Sequence, residues 1–184
     1  MTIKEFCDKY NAGSNCREWA LKNCSSMSDV YDKCENSDWL LWMLGRSYPD
    51  RKSDFVKLAV IFAEKVLPIF EAKYPNDYRP RKAIEAAATC VVADDAVASD
   101  ADATVIKAAE AADAAAFAAF TANAVAASYA AYTAAFTAAY TAYAAAKAAA
   151  SRAATYAANA ADDKQAMVDW QLKEIRKMFD NPWR

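Results

Sequence analysis

Three groups of side chains in this sequence carry reactive or recognition chemistry: the thiols, a cluster of carboxylates, and a set of indoles near a basic knot. The thiols are Cys7, Cys16, Cys24, Cys34 and Cys90. Their gaps of 9, 8, 10 and 56 residues contain no Cys-x-x-Cys pair, and the count is odd. That pattern argues against a disulfide framework and for reduced thiols in a cytosol. Histidine is absent, which removes the usual general base near neutral pH and the commonest nitrogen ligand for zinc, copper or iron. Asp94, Asp95, Asp100 and Asp102 offer oxygen ligands to a hard cation, but a helix-loop-helix calcium site needs a glycine and a closing glutamate that are not in place. Loop and cap roles are the plainer reading of these acids. Burial can tune any carboxylate pair for acid–base work, yet nothing marks such a pair here. No nucleophile motif, phosphate-cradling glycine loop or metal-ligand cluster is present. The residues predict a protein that is not an enzyme and needs no cofactor or metal.

The indoles and the basic knot are candidates for binding. Trp39 and Trp42 share a helical face at i, i+3, and tryptophan is enriched in binding hot spots. With Trp19 they form either a recognition surface or simply the core of a head. Arg79, Arg81 and Lys82 are the tightest basic cluster; they are suited to a phosphate or an acidic partner, or to salt bridges with Glu85 and its neighbours. Trp39, Trp42, Arg79, Arg81, Lys82 and Glu85 are therefore the candidate binding residues. Overall charge points to no partner. The chain has 22 basic and 24 acidic residues, a net of −2, which is the wrong sign for a nucleic-acid clamp and too small for a nucleic-acid mimic. The opening Met1-Thr2-Ile3-Lys4-Glu5-Phe6 lacks an apolar signal region, so a cytoplasmic location is expected.

The elements that must position these residues change character near residue 80. Both glycines and four of the five prolines lie in residues 1–80, whereas Arg81 to Asn181 contains neither residue type. The first part predicts a head of short helices. Ile3, Phe6 and Tyr10 share one helical face and stop before Asn11-Ala12-Gly13. Ser14, Ser28 and Ser37 are each placed to cap a following helix, the third of which carries Trp39 and Trp42 and is expected to end at Gly45. A longer helix is predicted from about Arg51 to Lys73, kinked by Pro68, followed by a turn at Tyr74-Pro75-Asn76-Asp77 and a helix start at Pro80. Asp162-Asp163 should open a last helix with Met167, Trp170, Ile175, Met178 and Phe179 inward.

The stretch from Ala83 to Ala161 is about half alanine, the best helix former. Its 33 residues from Ala114 to Ala146 carry no formal charge, which nominally suggests a membrane span. Recurrent Thr, Asn, Ser and Tyr, and the lack of a flanking basic cluster, favour a buried helix in a bundle instead. A single helix from Thr104 to Ala161 would be roughly 87 Å long and would leave its apolar surface bare, so antiparallel helices are expected, with breaks near Asp94–Asp102 and Asn123–Ser128. Tyr129, Tyr132, Phe136, Tyr140 and Tyr143 follow a 3-4-4-3 spacing that makes a seam for a partner helix, within the chain or in a homo-oligomer. Thr133, Thr137 and Thr141 do not keep the 11-residue register of an ice-binding face; back-bonding to the preceding turn is the plainer role. The fold expected is all-α and single-domain over residues 1–184: a tryptophan-containing head (1–80) and an alanine-rich antiparallel bundle (81–184).

Three segments carry a family resemblance: Cys16-Arg17-Glu18-Trp19-Ala20-Leu21, Ser37-Asp38-Trp39-Leu40-Leu41-Trp42, and Asp77-Tyr78-Arg79-Pro80-Arg81-Lys82-Ala83-Ile84-Glu85-Ala86. Together with an alanine-rich tail closing on Trp170-Gln171, they resemble the Imm-5-like family of immunity proteins. The resemblance implies a helical protein that neutralises a toxin by binding it, without catalysis. For phage-encoded relatives it implies an inhibitor of a host-defence component, or a trap for a small signalling nucleotide. A structural protein that homo-oligomerises through the tyrosine–alanine seam is the alternative from another class.

Overall fold

The structure is a computed structural model and describes residues 1–78, 80–82, 84, 85, 88, 154, 157–159 and 161–184. These residues are helical with turns between, and no strand occurs among them, so the fold is all-α. The tyrosine seam, the threonine row, the acidic stretch from Asp94 to Asp102, Cys90 and Arg79 lie outside the described residues, as do the breaks and pairing expected of the alanine-rich helices.

Six helices have described ends: α1 Ile3–Tyr10, α2 Ser14–Asn23, α3 Met27–Lys33, α4 Ser37–Ser47, α5 Lys52–Lys73 and α6 Lys164–Met178. Helix α1 starts in a reciprocal capping box, in which Thr2 Oγ1 accepts from the Glu5 N–H (3.2 Å) while Glu5 Oε2 accepts from the Thr2 N–H (2.8 Å). Asn11 ends it in the left-handed conformation (φ 51°), which asparagine tolerates better than most residues.

The expected serine caps are displaced, and each displacement has a cause. The cap of α2 is Gly13, which has no side chain to offer, so Ser14 becomes the first helical residue. Helix α3 is capped by Ser26, whose Oγ accepts from the Asp29 N–H (3.1 Å). Ser28 is occupied elsewhere, because its hydroxyl accepts from Asn181 Nδ2 (2.9 Å). Helix α4 is capped by Asn36, whose Oδ1 accepts from the Trp39 N–H (3.0 Å), which leaves Ser37 free to point inward. Helix α4 also continues through the buried Gly45 to Ser47. Arg46 Nη1 and Ser47 Oγ donate to the carbonyls of Trp42 and Met43, so the last turn is satisfied without a glycine stop.

Helix α5 is the central element. Phe55, Leu58, Ala59, Phe62, Ala63 and Val66 are all fully buried at i, i+3, i+4 spacing. The helix runs past Pro68, which sits on the exposed face where the carbonyl it deprives of a partner can meet solvent. Helix α6 opens as the sequence predicts, with Asp163 Oδ1 accepting from the Ala166 N–H (2.9 Å).

Helix α6 packs on α4 and α5 and completes the core of the head. Met167, Leu172, Ile175 and Phe179 are buried, while Trp170 is half-buried with its ring edge-on to Phe62 (5.8 Å). Gln171 is completely buried; it accepts from Ser37 Oγ (2.8 Å) and donates to the Ala154 carbonyl (2.7 Å). Beyond α6 the chain is tied down residue by residue. Tyr31 and Tyr48 hydroxyls donate to the Phe179 and Asp180 carbonyls, and Arg51 donates to that of Met178. Trp183 stands edge-on to Phe6 (5.8 Å), which brings the two ends of the chain together.

Phe179 is the anchor of this closure, its ring tilted against Phe55 at 4.6 Å and against Tyr48 at 5.5 Å. Phe179→Ala is expected to destabilise the protein by about 3–5 kcal/mol. Urea unfolding followed by tryptophan fluorescence measures it as a fall in midpoint with the slope unchanged.

Candidate functional site

An open groove of about 370 Å³ lies between the start of α2 and the first turns of α4. One wall is Gly13, Ser14, Asn15 and Cys16; the other is Asp38, Trp39 and Trp42. The i, i+1, i+4 spacing of the α4 residues puts all three on adjacent faces of one helix. Their backbone is fixed by the Asn36 cap below and by the buried Leu40, Leu41 and Leu44 behind. Trp39 lies tilted against Trp19 (5.9 Å), which locks α4 to α2. Trp42 meets Phe6 edge-on (6.0 Å) and carries the Arg46 guanidinium over its ring at 4.0 Å. Trp39 and Trp42 are each half-buried, pack on the core and also line the groove.

Asp38 is the carboxylate of this groove. Burial pushes its carboxyl above the ordinary value, and no hydrogen bond or ion pair holds it among the described residues. The positive end of the α4 dipole opposes that effect, since Asp38 sits in the first turn. Across the groove α2 begins without a side-chain cap, so its first N–H groups also face outward.

Arg81 and Lys82 are not among the residues that line this groove. Arg81 forms a two-pronged pair with Glu71 of α5, Nε to Oε1 and Nη2 to Oε2 each at 2.7 Å. Glu85, the partner expected for this cluster, is exposed. Lys82 is exposed, with its backbone N–H bonded to the Tyr78 carbonyl (3.0 Å). An ion pair this open is worth about 1 kcal/mol or less. The structure thus packs Trp39 and Trp42 on α2 and α1, and pairs Arg81 with α5.

A second, wider groove of about 620 Å³ runs between the ends of α2 and α3 and the flank of α6. Its cations are already committed to structure. Arg176 Nη2 donates to the carbonyls of Tyr31 (3.1 Å) and Cys34 (2.7 Å), ending α3, and Lys33 pairs with Asp29 (2.9 Å). The Arg176 Nε–H is buried without a partner among the described residues. Sequence reasoning missed Arg176, Gln171 and Asn181, because a long polar residue inside a helix or tail reads as solvated until its distant partner is known. Among the described residues no three His, Cys, Asp or Glu side chains are grouped to hold a metal ion, and no helix is long and apolar enough to cross a membrane.

Cys16 lines the groove and also faces a tight interior void of about 20 Å³ shared with Cys7 and Cys34. All four described cysteines are free thiols. Burial, reinforced by the neighbouring thiols and Asp38, pushes Cys16 from 9.0 up to about 11. A thiol whose value is raised on folding stabilises the fold while it stays protonated; that contribution is lost as pH rises from about 9 towards 11. Stability should therefore decline across this window, and Cys16→Ala should make the decline shallower. Urea midpoints at pH 8, 9, 10 and 11 for the two proteins measure it.

Comparison with family models, with curated proteins and with solved structures finds no match to this chain.

Proposed function

We propose that this chain is a non-catalytic binding protein of the immunity or counter-defence type, which neutralises a toxin or a host-defence component by occupying it. The observation that carries the reading is the groove between α2 and α4. It combines two indoles with a carboxylate that the fold leaves uncompensated among the described residues, all on helices locked by core packing. Half-buried tryptophans on a rigid support lose little side-chain entropy on binding and are the usual centre of a binding hot spot. The resemblance of the segments around Trp19, Trp39–Trp42 and Arg79–Ala86 to Imm-5-like immunity proteins supports the same class. Arg81 and Lys82 belong to the periphery of this reading, since Arg81 is already paired with Glu71.

The test co-expresses candidate toxin or defence genes with the wild type or with variants in a growth-protection assay. Asn15 is exposed on the groove wall, so Asn15→Tyr fills the groove without entering the core. Protection and complex affinity should fall at least tenfold with Asn15→Tyr and less than about twofold with Arg81→Ala, in line with hot-spot and exposed-pair magnitudes. Undiminished protection by Asn15→Tyr would remove the groove from the function.

A further inference from the structure

We infer that the groove between α2 and α4 recognises the cationic side chain of a lysine or arginine presented by a protein partner, with Asp38 as its counter-charge and Trp39 and Trp42 as its walls. The inference rests on the binding reading above and names the chemistry of the group bound. Electrostatics selects the sign. Asp38 is the one carboxylate that lines the groove, and no cationic side chain of the described residues pairs with it. The open N-terminus of α2 on the facing wall contributes at most about half a positive charge, spread over several N–H groups. A carboxylate set against that spread fraction of positive charge favours a cation over an anion.

The walls select the shape. An indole face attracts a guanidinium or ammonium group, and Trp42 already holds one, the Arg46 guanidinium, at 4.0 Å. Arg46 does not reach Asp38, because it turns the other way and donates to the Trp42 carbonyl (3.0 Å). The methylene stem of a lysine or arginine is suited to lie along indole edges while its head meets the carboxylate. A volume of about 370 Å³ admits one such side chain with its first hydration waters and leaves the groove open to the partner's backbone. The wider groove beside α6 lacks this combination, since Lys33 and Arg176 already populate it.

The test titrates the intact protein with N-acetyl-arginine amide and N-acetyl-lysine amide, using tryptophan fluorescence and heteronuclear NMR. N-acetyl-norleucine amide serves as the neutral isostere and guanosine monophosphate as the anionic aromatic probe. The two cationic probes should saturate the Trp39 and Trp42 indole N–H signals in the millimolar range and bind at least tenfold tighter than norleucine amide. Binding should fall at least tenfold in Asp38→Asn and survive in Asp38→Glu. Burial and the α4 dipole act on Asp38 in opposite directions, so Asp38→Asn should melt within about 2 °C of wild type. Equal binding of norleucine amide, unchanged binding by Asp38→Asn, or tighter binding of guanosine monophosphate would each overturn the inference. Loss of cation binding with protection still sensitive to Asn15→Tyr would sink this inference alone. Protection indifferent to Asn15→Tyr would sink the reading beneath it.

Discussion

The packing of the C-terminal helix turns on one buried amide. Gln171 lies in an apolar interface with nothing but protein around it, so both halves of its side chain must find partners there. Ser37 Oγ donates to its oxygen and the Ala154 carbonyl accepts from its nitrogen. Moving α6 by one residue along α4 would leave these groups unpaired, at about 1–3 kcal/mol for each. Hydrophobic burial supplies the attraction between α6 and the head, but it is nearly indifferent to register; the amide is not. Ala154 matters for the same reason, because a methyl group there leaves the carbonyl within reach of a neighbouring helix.

Once that register is set, the rest of the closure follows. Phe179 arrives over Phe55, the Tyr31 and Tyr48 hydroxyls meet the carbonyls after α6, and Arg176 ends α3. Helix α4 is thereby held from one side by α6. Its opposite side carries Asp38, Trp39 and Trp42, and α2 covers that side only partly because Trp39 is braced on Trp19. The groove is a consequence of how α4 is clamped.

Much of the head was legible in the sequence. The apolar spacing of Ile3, Phe6 and Tyr10, the long apolar run before Lys73, and Asp163 ahead of α6 each follow from local chemistry. Errors gathered where a local signal competed with a distant one. Ser28 and Ser37 look like caps until Asn181 and Gln171, well over a hundred residues away, claim their hydroxyls. Gly45 looks like a stop until Arg46 and Ser47 satisfy the last turn. At the site, spacing alone put Trp39 and Trp42 together, but no spacing rule pairs Arg81 with Glu71 or sets Ser14 and Asn15 opposite Asp38. Those are products of the turns between helices, whose directions local propensity does not encode.

The central claim is that α6 belongs to the same cooperative unit as the helices of the head. Native-state hydrogen exchange with residue-level readout tests it most directly, by comparing opening free energies of amides in α4, α5 and α6 over a series of low urea concentrations. The account predicts that the slowest amides of all three helices, including Leu172 and Ile175 of α6, merge into one global opening. Exchange of the α6 amides through a separate, much cheaper opening, with α4 and α5 still protected, would contradict it.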